Sequence, residues 1–163
     1  MKTNKPNQNN KVKSKGSRLD ASNKKVLVDC QISTRLEEIE TLADTVDNVL
    51  TDSDLAFSVN LCLEELITNT INYGLGGASD RLIHVQINST AEWLEIVLED
   101  DAPQFDPFVQ VPEPKLDQDI NDRPIGGLGV HLVKKIMDDV HAYYDGTGNM
   151  IVLRKRLSHQ NKE

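Results

Sequence analysis

At 163 residues, with 38% apolar side chains and a net charge of −8, the chain holds one ordinary domain and little more. No apolar run approaches the ~20 residues that a membrane-spanning helix needs, and the first residues lack the apolar core of a signal peptide, so a cytoplasmic protein is expected. Cys30 and Cys62 stand apart, with no Cys or His at metal-ligand spacing, which excludes a disulfide framework and reads as two buried free thiols.

The charge is uneven. Residues 1–25 carry eight Lys and Arg against the single acid Asp20, hence +7, which leaves −15 for the rest of a chain whose total is −8. So polar a stretch cannot bury enough surface to offset the entropy of ordering, and residues 1–24 are expected to be a disordered basic tail. The tail has no aromatic residue to stack on bases. With an acidic domain behind it, direct contact with nucleic acid or membrane is not expected, whereas a basic protein surface is a suitable partner. The domain should span residues 25–158, with a polar C-terminal tail at 159–163.

Residues 26–32 alternate as a first strand. Ser33 or Thr34 then offers a cap to a helix in which Leu36, Ile39, Leu42, Ala43, Val46, Val49 and Leu50 recur at three and four, with Glu37 and Glu38 in its first turn. A loop with a second capping signal, Thr51-Asp52-Ser53-Asp54, leads to a helix from about Leu55 to Tyr73, broken by Gly74, Gly76 and Gly77. Residues 82–88 and 93–99 form a hairpin. Residues 102–123 are rich in Pro and Asp and lack periodicity, and a loop that long in a small domain is usually functional or disordered. A third helix over 128–138 and a closing hairpin, 140–144 with 150–157, complete an α+β layout: a two-layer sandwich with helices on one face of a mixed, mostly antiparallel sheet.

Three motifs carry chemistry. In Glu65-Leu-Ile-Thr-Asn69-Thr-Ile-Asn72 the three polar residues are spaced four and three, which puts them on one helix face. The face is either solvated or functional, with Asn69 holding Mg²⁺ through its carbonyl oxygen and Glu65 handling a proton; magnesium takes few protein oxygens beside phosphates and water. Asp100, at the end of an apolar strand in Glu99-Asp100-Asp101-Ala102-Pro103, either starts a turn or accepts a hydrogen bond from an exocyclic amine. Gly126-Gly127-Leu128-Gly129 opens a helix, either as a plain entrance or as a cradle in which free N–H groups meet phosphate. It is neither a dinucleotide fingerprint nor a Walker loop, because no strand immediately precedes it and no Lys-Ser/Thr pair follows. Thr147, in the Gly146-Thr147-Gly148-Asn149 turn, offers one more hydroxyl to phosphate. His84, His131 and His141 face no nucleophile pattern, and Trp93 reads as a packing residue.

In this order the motifs resemble the histidine-kinase-like (GHKL, or Bergerat) ATP-binding fold of gyrases, mismatch-repair ATPases and histidine kinases, and within it the anti-sigma-factor serine/threonine kinases. Glu65-x-x-x-Asn69 looks like the N-box, Asp100 to Pro107 like the first glycine box, Gly126 to Val133 like the second, and Gly148-Asn149-Met150 like the closing strand motif. The likeness covers about residues 25–157. It implies that Asn69 coordinates Mg²⁺, that Asp100 binds the adenine amine, and that Glu65 is general base on a protein Ser or Thr hydroxyl. Phosphates would lie at Gly127, Leu128 and Gly129, and residues 111–125 would be the ATP lid. Asn72, Ala102, Phe105, Gly126, Val130 and Thr147 complete the expected nucleotide site. The resemblance further implies ATP and Mg²⁺ as cofactors, a small anti-sigma-antagonist-like protein as substrate, a sigma factor as a second partner in a bacterial partner-switching system, and leaves a homodimer open. Ala102 stands where relatives often have Gly, and Tyr73 where many carry His or another polar residue; neither change removes a catalytic group. The alternative is a non-catalytic ATP-binding module that holds a protein partner without phosphoryl transfer.

Overall fold

The computed structural model describes residues 23–110 and 128–158. Nearly all of the basic tail, residues 159–163, the predicted lid over 111–125, and Gly126 and Gly127 lie outside the described residues. The elements in order are β1 (Lys25–Ser33), α1 (Leu36–Val49), α2 (Ser53–Asn69), a π-helical turn (Thr70–Gly74), β2 (Leu82–Ser89), β3 (Trp93–Asp100), α3 (Pro107–Gln110), α4 (Leu128–Ile136), β4 (Asp139–Tyr144) and β5 (Asn149–Arg156).

The strands form one sheet in the order β1-β2-β3-β5-β4. All four pairings are antiparallel, the limiting case of the mostly antiparallel sheet expected. Alternation sends Ile83, Val85 and Ile87 of β2, Leu94, Ile96 and Leu98 of β3, and Ile151 and Leu153 of β5 into one core. Leu42 and Val46 of α1, Val59, Cys62, Leu63, Leu66 and Ile67 of α2, and Val133 of α4 close that core from above. The helices therefore cover one face only, which is the two-layer α+β sandwich. The opposite face of the sheet is mixed: Val97 and Val152 are buried there as a cross-strand pair, and beside them the fully buried Glu95 accepts a hydrogen bond from Arg154 Nε at 3.0 Å.

The helix boundaries show where local chemistry departs from periodicity. Neither Ser33 nor Thr34 caps α1, whose N-cap is Arg35 without a side-chain bond. Thr34 is used elsewhere: its buried hydroxyl donates to Ala78 O at 2.5 Å and so ties down the loop before β2. Asp52 does cap α2, with Oδ1 accepting from Asp54 N (3.0 Å) and Leu55 N (3.1 Å). The last turn expected of α2 is wound as a π-helix, closed by Leu75 N on Thr70 O at 2.8 Å. Gly76 and Gly77 then turn the chain away at positive φ, 63° and 77°. Within the long loop, residues 107–110 form one helical turn that the sequence did not reveal. Both cysteines are free. Cys62 is buried, with burial pushing its thiol up to about 12, whereas Cys30 is only half-buried.

Replacing Asp52 by Ala removes both capping bonds of α2. We expect a loss of about 1 kcal/mol, read as a lower urea midpoint with an unchanged slope.

Candidate functional site

The site is built where the carboxyl end of α2, the start of α4 and the ends of β3 and β5 come together. Glu65 and Asn69 sit one turn apart on α2, below the π turn. Asn69 is nearly buried, at 9% exposure, and its side-chain amide makes no hydrogen bond to another described residue. An amide in that position can meet a ligand or water. Asn72, which α-helical spacing places on the same face, is exposed instead. The wider π winding rotates it off the Glu65–Asn69 line.

Glu65 reaches across to α4. A Cβ on Gly129 would collide with the Glu65 carboxylate, through both Oε2 and Cδ, with Cγ at 2.7 Å. Only glycine lets this side chain lie against the first turn of α4, where backbone N–H groups have no intrahelical acceptor. Gly129 thus holds space for Glu65, a use that the phosphate-cradle reading did not foresee. Burial, with Glu64 as a smaller contribution, raises the Glu65 pKa above its ordinary value. An acid poised in that way suits proton transfer. Leu128 is exposed at the head of α4, while Val130 points inward and packs with Phe105.

At the sheet end, Asp100 is held rather than free. Its Oδ1 accepts from Asn149 Nδ2 and from Ala102 N, both at 2.9 Å. That leaves Oδ2 as the oxygen available to a ligand. Asn149, named in the sequence as part of the closing-strand likeness, was given no role in the site. It is 4% exposed, and besides Asp100 its Nδ2 lies 3.3 Å from Ala102 O and 3.0 Å from Pro103 O. Its Oδ1 accepts from Phe105 N at 2.8 Å. One amide therefore fastens the whole turn from Asp100 to Phe105. The available signal was its place opposite Asp100 in the β3–β5 register, but an Asn beside Gly in a hairpin reads as turn chemistry. Gly148 is also required, because a Cβ there would strike the Asp100 carbonyl oxygen.

Ala102 and Phe105 are buried in this turn, Phe105 stacked on Tyr73 with ring centroids 6.4 Å apart. Thr147 is exposed in the β4–β5 turn, its hydroxyl donating to Asp145 Oδ1 at 2.7 Å, so the turn itself uses the group expected to meet phosphate.

A family model described as a histidine kinase-like ATPase domain matches residues 32–155. The chain belongs to this family. It is 30% identical over 108 residues to the serine-protein kinase RsbW of Listeria innocua, covering 64% of this chain and 68% of that one. The same identity and coverage hold for serine-protein kinase RsbW of Listeria monocytogenes. It is 25% identical over 83 residues to the serine/threonine-protein kinase BtrW of Bordetella bronchiseptica, covering 51% of this chain and 58% of that one. Among the described residues no helix is long and apolar enough to cross a membrane.

A histidine kinase-like ATPase domain implies ATP, and the residues present fit it. Among the described residues the Asn69 side-chain amide and Asp100 Oδ2 make no hydrogen bond, and Gly129, the second residue of α4, leaves the first turn of that helix without a Cβ on the side of Glu65.

Because burial raises the Glu65 pKa, its charged form is penalised only in the folded state. Stability is unaffected below the ordinary carboxylate value and falls as pH rises through the folded value. Glu65→Gln should therefore melt higher than wild type near neutral pH and at the same temperature near pH 3, as thermal denaturation at the two pH values would read.

Proposed function

We propose that this protein is an ATP-dependent serine/threonine protein kinase of the anti-sigma type, acting in the cytoplasm on a small antagonist protein in a partner-switching system. The observation that carries the kinase reading is the Glu65 carboxylate lying against Gly129 at the start of α4, one turn from the nearly buried Asn69. A carboxylate there serves a proton transfer, and a mere nucleotide-binding surface has no use for an acid raised by burial. The relatives named serine-protein kinase support the same reading.

Asp100 Oδ2 accepts from the adenine amine, with Asn149 holding the carboxylate in place. Ala102 and Phe105 form the wall beside the base. Asn69 offers its side-chain oxygen to Mg²⁺, and the first turn of α4, with Leu128 and Gly129, offers backbone N–H groups to phosphate. Bound Mg·ATP supplies the phosphoryl group and the cation that offsets its charge. Glu65 accepts the proton of the incoming Ser or Thr hydroxyl, and burial keeps the carboxylate out of competition with bulk water. The anti-sigma assignment, the antagonist substrate and a sigma factor as alternative partner rest on the motif resemblance and on the names of the relatives.

Single-turnover transfer from labelled ATP to a partner captured from native extract tests the reading. Glu65→Gln keeps size and one hydrogen-bonding oxygen, so ATP and partner binding should persist while transfer slows by about 10²–10⁴-fold. A wild-type protein that never labels the captured partner is a binding module. A Glu65→Gln protein that labels at the wild-type rate is a kinase with a different base.

A further inference from the structure

Asp100 faces the helix layer, and its two sequence neighbours face the other way, as strand alternation requires. Both neighbours are pinned. Glu99 lies opposite His84 in the terminal rung of the β2–β3 ladder, with its Oε2 2.9 Å from His84 Nδ1. Asp101 accepts from Arg81 twice through Oδ1, from Nε at 3.2 Å and from Nη2 at 2.5 Å, and again through its carbonyl at 3.3 Å. His84 and Arg81 both belong to the start of β2 and its approach. The residues on either side of Asp100 are thus anchored to a single strand entrance.

The His84 ring is committed on both edges. Its Nε2 lies 2.7 Å from Asp29 Oδ1 on β1. A neutral imidazole has one N–H and one lone pair, whereas ionised carboxylates only accept. Two carboxylate partners therefore require an N–H on each nitrogen, which is the imidazolium form. The charged groups around the ring are Asp29 from β1, Glu99 from β3, and Asp80, Arg81, Asp100 and Asp101, which share with it a cavity of about 440 Å³. Anions outnumber cations there, in keeping with a charged ring.

We propose that His84 and Arg81 are positioning residues for nucleotide binding, bracing Asp100 from behind by pinning Glu99 and Asp101 to β2. The proposal rests on the reading of Asp100 as the base-binding acid. Hydrogen bonds to Asp29 and then to Glu99 raise the His84 pKa above its ordinary value. The sign follows: the brace is complete while His84 is protonated and loses one of its bonds as pH rises through the raised value. Arg81 stays charged throughout.

Calorimetric titration of the full chain with Mg·ADP, from about pH 6 to about pH 9, tests this. Wild type should lose about three- to tenfold in affinity toward the alkaline end, the worth of one hydrogen bond. His84→Gln should bind at the wild-type alkaline level throughout and show no such slope. Arg81→Gln, an exposed replacement that leaves the core untouched, should bind more weakly but keep the slope. If His84→Gln does not fold, Arg81→Gln carries the test alone, and wild-type affinity in that variant overturns the brace. Asp100→Ala separates the two layers of the argument. Weak binding by Asp100→Ala beside a wild-type slope in His84→Gln overturns the brace and leaves the base-binding acid standing. Wild-type affinity in Asp100→Ala overturns both.

Discussion

A single buried amide holds the business end of the sheet together. Asn149 donates to the Asp100 carboxylate and to the carbonyls of Ala102 and Pro103, and accepts from Phe105 N. These groups belong to a turn that no strand ladder or helix satisfies, and buried backbone groups left unpaired are expensive. With Asn149 in place, the turn is tied at both ends and Asp100 Oδ1 is occupied. Without it, the carboxylate would rotate and the Phe105 wall would drift. A nucleotide bound at this end of the sheet, as proposed, would gain from that preorganisation, because a fixed group forfeits little entropy when its ligand arrives.

The other half of the site depends on absence of bulk. Glu65 lies against α4 only because residue 129 has no Cβ. The carboxylate is partly desolvated as a result, and its proton affinity rises. The protein accepts an electrostatic cost at Glu65, one turn of α2 from the nearly buried Asn69. Local conflicts of this kind are expected at functional sites and are offset by the rest of the fold. Here the offset is the core of Leu63, Leu66, Ile67, Ile96, Ile151 and Leu153, all nearly or fully buried. The turn from Asp100 to Phe105 and the contact of Glu65 with α4 are thus held by different devices, a hydrogen-bond tie at one end and a close approach at the other.

The sequence made much of this legible, and the failures have physical causes. Alternating runs located the strands, because one face of the sheet is buried under helices and the other carries most of its polar residues. The spacing of Glu65 and Asn69 put both one turn apart on a helix, as α2, regular up to Asn69, has them. Asn72 was misplaced because periodicity assumes 3.6 residues per turn, and the chain winds as a π-helix from Thr70. Thr34 was read as a cap because β-hydroxyl residues before a helix usually are; its hydroxyl was claimed by Ala78, 44 residues away, which no local pattern records. Asn149 was hidden for the same reason: its partners are non-local, while its neighbours Gly146 and Gly148 advertise a turn. Gly129 was singled out, but for backbone approach to phosphate rather than for room given to Glu65.

The most direct test of the account is a crystal structure of the protein with Mg²⁺ and a non-hydrolysable ATP analogue. The account predicts the adenine amine within hydrogen-bonding distance of Asp100 Oδ2 with the Asn149–Asp100 bond intact, the metal on Asn69, and the Glu65 carboxylate facing the γ-phosphate from beside Gly129. A nucleotide bound elsewhere, or one whose base leaves Asp100 untouched while Glu65 points away from the phosphates, would contradict it.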